Sequence, residues 1–349
     1  MTRTGEMHGI GAGAVAASPL RGNRHALVLG ATGGIGGTMA RRLLAEGWQV
    51  RALCRQMPEA ARRIAGVEWL LGDAMDGAAV RAAARGVELL VHAVNPPGYR
   101  DWQRLVLPML DHSIAAASGS GARILLPGTV YNYGPDVAQS VRENAPQRPR
   151  SRKGGIRVEM ERRLKAAAEQ GVPSLVLRCG DFFGPGAANN WFAQGMVKPG
   201  RPLRRLVYPG RAGVGHQWAY LPDVAETMMR LIDRAGCLPP FATFHMRGHW
   251  DADGRQMTAA IARAAGQPRL APRAFPWWAV RLGAPLVPLF RELDEMRYLW
   301  RQPLCMDNAR LRRVLGAEPH TPLDEAVRAT LASLGCLPES PDRLLYSQA

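Results

Sequence analysis

Two groups of residues have the types and spacing to do chemistry on a phosphorylated cofactor. The first is Gly30-Ala-Thr32-Gly33-Gly34-Ile35-Gly36, where glycines recur three residues apart. Such a turn bends tightly and brings its backbone close to a pyrophosphate. The helix that follows offers unpaired N–H groups and the positive end of its dipole. The second group lies beyond later apolar runs. Val50-Arg-Ala-Leu-Cys54 is followed by Arg55, and no acid stands where a carboxylate would grip a ribose 2′-hydroxyl. An arginine there suits a 2′-phosphate, so the expected cofactor is NADP, with NAD as the alternative. Asp73 follows the next run and is placed to accept from an adenine amino group. His92-Ala93-Val-Asn95 ends another, near the expected nicotinamide end. His92 reads there as a packed or capping residue, with Ala93 and Asn95 as the cofactor contacts.

These positions work only if strands and helices alternate, and the chain has that pattern. Apolar runs at 25–30, 50–54, 67–71, 87–91, 124–127 and 174–178 read as strands. Helical spacing at 35–44, near 57–65, 76–85, 101–117 and 155–170 separates them, and Gly47 closes the first helix. The expected fold is therefore an α/β, doubly wound, Rossmann-like parallel sheet. Residues 24–180 form its dinucleotide-binding domain. Residues 181–349 form a smaller substrate-binding module, interleaved with the last strands of the sheet. Residues 1–23, rich in Gly, Ala and Ser, read as a flexible tail.

Composition excludes several classes. The 349 residues are 47% hydrophobic, enough for a sizeable core. The formal charge of +16 suggests nucleic acid, yet Lys153, Lys165 and Lys198 are the only lysines among 45 basic residues. The arginines are scattered singly and in pairs rather than gathered into a stripe, so no nucleic-acid partner is expected. Five widely spaced cysteines without a CxxC pair argue against a disulfide framework or a zinc site, and fit a reducing cytoplasm. No apolar run is long enough for a stable membrane span. Glu292, Asp294 and Glu295 lie among arginines and read as a solvated charged face. The expected partner is a small-molecule substrate, and the expected state a monomer or homodimer.

With these motifs the chain resembles the extended short-chain dehydrogenase/reductases, the superfamily of NAD(P)-dependent nucleotide-sugar epimerases and dehydratases, over about residues 25–333. The glycine turn carries the resemblance, with Val130-Tyr131 before Gly134, and Glu143-x-x-Pro146-x-x-Pro149. Further matches are Arg178 with Gly184-Pro185, Tyr220-Leu-Pro-Asp223-Val-Ala, and Asp307-x-x-Arg310-Leu with Leu315-Gly316 and Pro319. It implies hydride transfer assisted by a Tyr-x-x-x-Lys pair. Counted from Pro149 on one side and Glu161 on the other, that pair's positions hold Lys153 and Arg157. The family's hydroxyl position falls near Thr129, two residues out of register.

Lys153 and Arg157 share a helix face. Neighbouring positive charge and desolvation disfavour a protonated lysine, which suits Lys153 to proton transfer. Arg157 stays charged and can hold the cofactor's ribose and phosphate. Tyr131 and Thr129 complete the candidate catalytic set. The structural alternative has Lys153 in solvent and Arg157 paired with Glu161. The resulting expectation is an NAD(P)-dependent oxidoreductase, or an epimerase/dehydratase-like enzyme, acting on a small-molecule carbonyl or alcohol. Loss of the tyrosine keeps a catalytically silent NADP(H)-binding regulator or redox sensor as the alternative. The apolar stretch 276–290 reads as a lid over the cleft or as buried packing.

Overall fold

The computed structural model describes residues 24–57, 59, 64–96 and 101–337. The expected tail at 1–23 and much of the expected helix near 57–65 lie outside the described residues. The chain lays down β1 (His25–Leu29), α1 (Gly34–Ala45), β2 (Gln49–Cys54), β3 (Val67–Leu71), α2 (Gly77–Ala83) and β4 (Leu89–His92). Then follow α3 (Trp102–Ser120), β5 (Arg123–Thr129), the short β6 (Ser140–Val141), α4 (Arg152–Glu169) and β7 (Ser174–Cys179). Beyond Gly180 come β8 (Asp181–Phe183), β9 (Val207–Tyr208), β10 (His216–Tyr220), α5 (Leu221–Asp233), β11 (Phe241–His245) and β12 (His249–Asp251). The C-terminal part holds α6 (Gln256–Ala264), β13 (Arg273–Ala274), α7 (Trp277–Gly283), α8 (Pro288–Glu295), β14 (Cys305–Met306), α9 (Ala309–Leu315) and α10 (Leu323–Ser333).

Seven strands form one parallel sheet in the order β11-β7-β5-β4-β1-β2-β3. Side chains alternate across it, as strand geometry requires. Ala26, Val28, Val50, Ala52 and Val91 face one core, which α1, α5 and α9 cover. Leu27, Leu29, Leu53, Leu90 and Ile124 face the other, which α2, α3 and α4 cover. Both faces are buried, so the strands read as continuous apolar runs. The doubly wound expectation holds. The seventh strand, β11, was not expected; it is a short run after Pro239-Pro240 that joins the edge of the sheet beside β7.

Two strand ends differ from expectation. β4 starts at Leu89 rather than Val87, because Gly86 takes φ +69 and turns the chain just before it. β5 does not stop at Pro127 but continues to Thr129. Its pairing with β4 ends at Val91 and Leu125, whereas its pairing with β7 runs on to Thr129 and Cys179. Pro127 thus lies where β5 has lost one neighbour, a position that tolerates a missing N–H. A third core unites β8, β10, α6 and α10 through Phe183, Trp218, Met257, Ile261, Val327 and Leu331. That module closes over the carboxyl ends of the sheet.

Candidate active site

A cavity of about 1030 Å³ runs along those carboxyl ends. It spans the point where the strand order reverses between β1 and β4, the usual nucleotide crevice of such sheets. The glycine loop is packed as its sequence requires. Gly30 has φ +88, and a Cβ on it would lie 2.5 Å from the Ala93 carbonyl oxygen. A Cβ on Gly36 would lie 2.2 Å from the Gly30 carbonyl oxygen. The Gly33 N–H closes the turn on that same oxygen at 2.9 Å. No side chain caps the N-terminus of α1, so its first N–H groups face the cavity without a side-chain partner. Gly30, Thr32, Gly33, Gly34 and Ile35 line the cavity; Gly36 lies behind them as the glycine that lets the helix come close.

The other cofactor candidates line the same space: Arg55, Asp73, Ala93, Asn95 and Arg157. The end of β2 presents Cys54, Arg55 and Gln56, without a carboxylate. Asp73 Oδ1 accepts from the Met75 N–H at 2.9 Å, which fixes the turn after β3. His92 is buried, and its Nδ1 lies 2.8 Å from Ser113 Oγ. Burial, with Arg157 adding to it, pushes His92 down to about 3, so it is neutral and packed. A glycine cradle, an uncapped helix end and a cavity along the strand ends fit a nicotinamide dinucleotide.

Of the four candidate catalytic residues, three reach the cavity. Thr129, Tyr131 and Arg157 line it, and Lys153 is not among its lining residues. Arg157 leans back over the end of β5, with Nη1 donating to the Pro127 carbonyl at 3.4 Å and the guanidinium over the Trp102 ring at 5.2 Å. Lys153 is buried and pairs with Glu292 of α8 at 3.1 Å. Burial pulls its amine below the ordinary range, against the opposing pull of Glu292. The adjacent Arg152 donates to Glu295 at 2.9 Å and to Glu292 at 3.1 Å. Glu292 and Glu295 are therefore not a solvated charged face; they clasp the first turn of α4.

The alternative pairing of Arg157 with Glu161 does not form either. Glu161 holds Arg178 of β7 instead, in a buried two-pronged pair, and also accepts from Asn132 at 2.8 Å. Arg178 further donates to the Tyr133 hydroxyl and to the Glu143 carbonyl. Tyr133 is fully buried, and burial raises its phenol to about 12. Tyr133 is thus part of the anchor that ties α4 to the sheet.

The fold brings Asp181 of β8 and His216 of β10 together behind Tyr131. The Tyr131 hydroxyl donates to Asp181 Oδ1 at 3.5 Å, and Asp181 Oδ2 lies 2.9 Å from His216 Nε2. His216 Nδ1 lies 3.2 Å from the Leu299 carbonyl, and its ring stacks on Trp300 at 3.7 Å between centroids. Both imidazole nitrogens thus face groups that ordinarily accept. A carbonyl only accepts, so Nδ1 carries a proton. The buried pair stands behind Tyr131. The available signal was that Asp181 directly follows the apolar run 174–178 and its Gly180, and that His216 shortly precedes Tyr220-Leu-Pro-Asp223.

The model of the NAD dependent epimerase/dehydratase family matches residues 26–238. The chain belongs to that family. Among curated proteins it is 33% identical to the dTDP-6-deoxy-L-talose 4-dehydrogenase (NAD(P)(+)) of Kitasatospora kifunensis over 168 residues, 46% of this chain and 52% of that one. It therefore spans about half the length of that relative. It is 28% identical to the 3-diazoavenalumate denitrifying reductase of a Streptomyces species over 287 residues, 72% of this chain and 87% of that one. The fold is shared with the enzyme WbmH of Bordetella bronchiseptica, solved in complex with NAD+, at TM-score 0.67 and 17% identity over 89% of this chain and 98% of that chain.

In this family member, the end of the cavity away from Arg55 is built by the C-terminal module. Trp191, Phe275, Leu289 and Leu293 give it apolar walls, and Asn190 and Gln194 add polar groups. Asn190 Oδ1 accepts from the Ala193 N–H at 2.8 Å and starts a turn of π-helix at Phe192–Met196. Apolar walls with a few placed polar groups are the usual make-up of a small-molecule pocket. The stretch 276–290 only partly matches expectation. Leu289 faces the cavity, and the Trp277 indole donates to the Pro209 carbonyl at 2.7 Å, but Trp278, Leu282 and Leu286 are exposed. Among the described residues, no helix is long and apolar enough to cross a membrane.

Proposed function

We propose that this epimerase/dehydratase-family chain is an NADP(H)-dependent oxidoreductase whose proton route is Tyr131–Asp181–His216. The observation that carries the proposal is that this hydrogen-bonded chain starts at a phenol on the cavity wall and ends at the buried Asp181–His216 pair. When bound, the nicotinamide supplies or takes up the hydride. Tyr131 gives its proton to the substrate oxygen as the carbonyl carbon is reduced. Asp181 returns a proton to the phenol, and His216 Nε2 supplies Asp181. Oxidation of an alcohol runs the same protons backwards. The 3.5 Å contact between Tyr131 and Asp181 is long, as such contacts commonly are without substrate.

Arg157 fits the role of holding the cofactor near the nicotinamide end, and Thr129 that of bonding the substrate oxygen. Arg55 fits a 2′-phosphate, which supports NADP over NAD. Lys153 acts as a strut between α4 and α8 rather than as the acid. The five free cysteines suit a reducing compartment, taken here as the cytoplasm. The substrate class is a small carbonyl or alcohol with an apolar body.

Stopped-flow measurement of NADPH oxidation with a panel of small carbonyls tests this reading. Tyr131→Phe should lower kcat by about 10²–10⁴ while leaving NADPH affinity nearly unchanged. Lys153→Met should lower kcat less than tenfold, roughly the effect of a loosened support rather than a lost acid. Full turnover in Tyr131→Phe would overturn the relay. NADPH binding with no hydride transfer in a single turnover would return the chain to the regulator reading.

A further inference from the structure

Asp223, His249 and His320 meet outside the cofactor cavity. None of the three lines that cavity. Each offers one donor atom, and the three atoms lie within 4.8 Å of one another. They come from separate elements: the first turn of α5, strand β12, and the loop before α10. The histidine rings stand 4.4 Å apart between centroids, tilted by 44°. His249 is buried, and among the described residues its Nε2 has no hydrogen-bond partner. A buried ring nitrogen left without a partner is costly and calls for a water or an ion. His320 is exposed, so the site is open to solvent on one side.

We propose that Asp223, His249 and His320 form a divalent-metal site of the zinc type, a structural staple distinct from the nicotinamide cavity. Two imidazoles and one carboxylate are a donor set of intermediate softness, suited to zinc and cobalt rather than to calcium or magnesium. His249 Nε2, buried and without a hydrogen-bond partner among the described residues, can turn a lone pair to a metal. Asp223 is already oriented: Oδ1 accepts from the Thr321 hydroxyl at 2.7 Å and Oδ2 from the Thr321 N–H at 2.8 Å. Each oxygen retains a second lone pair. Those two bonds serve as the supporting shell that metal-bound carboxylates ordinarily have. Because Thr321 adjoins His320, the same contact brings the exposed imidazole over the site. A bound ion would then tie β12 and the loop before α10 to α5, whose first residue, Leu221, lines the cofactor cavity.

The test uses untagged full-length protein stripped with a chelator and titrated with zinc, then with cobalt(II). One ion per chain should bind, and cobalt should give the visible absorption of a low-symmetry nitrogen and oxygen site. At a hundredfold excess over Kd, zinc should raise Tm by about 4 °C for a chain of this size. His320→Ala removes an exposed ligand and leaves the core intact; it should abolish the cobalt spectrum and the shift in Tm. His249→Gln should do the same. Absence of zinc uptake by the unmodified chain overturns the proposal. So does uptake or a shift in Tm that survives His320→Ala, since other groups would then hold the ion.

Discussion

The buried pair of Glu161 and Arg178 sets a sharp test of how the site is held. Glu161→Ala removes the one carboxylate, among the described residues, that is bonded to the Arg178 guanidinium, which is 2% exposed. It deletes two charge-assisted bonds to Arg178 and one of the two bonds the Asn132 amide donates, the other going to Gln147. Breaking one partner of such a buried pair typically costs about 3–5 kcal/mol. Unfolding entropy near 2.1 cal/mol/K per residue gives roughly 0.6 kcal/mol per degree for about 300 ordered residues. Glu161→Ala should therefore lower Tm by about 5–8 °C in calorimetry. Replacing both partners by apolar residues, Glu161→Leu with Arg178→Met, should recover most of that loss, because no charge is then left buried. Arg157 lies one helical turn before Glu161 on α4, so the single variant should also weaken NADPH binding. A fall in Tm below about 1 °C would refute the assigned role, as would a double variant no more stable than the single one.

Arg55 and His92 set two further tests. Arg55→Ala should weaken NADPH binding by roughly 10- to 100-fold and leave NADH binding nearly unchanged, the usual worth of a charge-assisted phosphate contact; equal losses for both cofactors in fluorescence titration would remove Arg55 from the 2′-phosphate site. His92 bears on pH, since burial holds it near 3 in the folded chain while the unfolded chain has the ordinary value near 6.5. Between those values only the unfolded state takes the proton, so His92 stabilises the fold above about pH 6.5, and that contribution is lost as pH falls toward 3. Denaturant titrations at pH 6 and pH 5 should show a slope shallower by roughly 1 kcal/mol per pH unit in His92→Asn; an unchanged slope means that His92 is protonated in the folded chain.

Much of the cofactor half was legible because its signals are local. Gly30 to Gly36 act through backbone sterics and a helix end, which depend on a dozen neighbouring residues. Arg55, Asp73 and Asn95 sit at strand ends that apolar runs mark within a residue or two. The catalytic half was less legible, since its partners come from distant segments. Lys153 finds Glu292 nearly 140 positions away, and Arg178 rather than Arg157 takes Glu161. Periodicity on α4 shows which residues share a face, but not which element that face meets. β11 was hidden for a related reason: a short strand at a sheet edge is defined by its neighbour β7 and carries little pattern of its own.

The sequence by itself determined the alternating sheet, the phosphate turn and the absence of an acid after β2. Each of these follows from local sterics, side-chain period and charge. Tertiary packing alone decided that Lys153 is clasped by α8, that Tyr131 backs onto Asp181 and His216, and that Asp223, His249 and His320 converge. Those contacts join β8, β10 and β12 to elements far away in the chain. Only closure of the C-terminal module over the sheet brings them within bonding distance, and no spacing along the sequence encodes that closure.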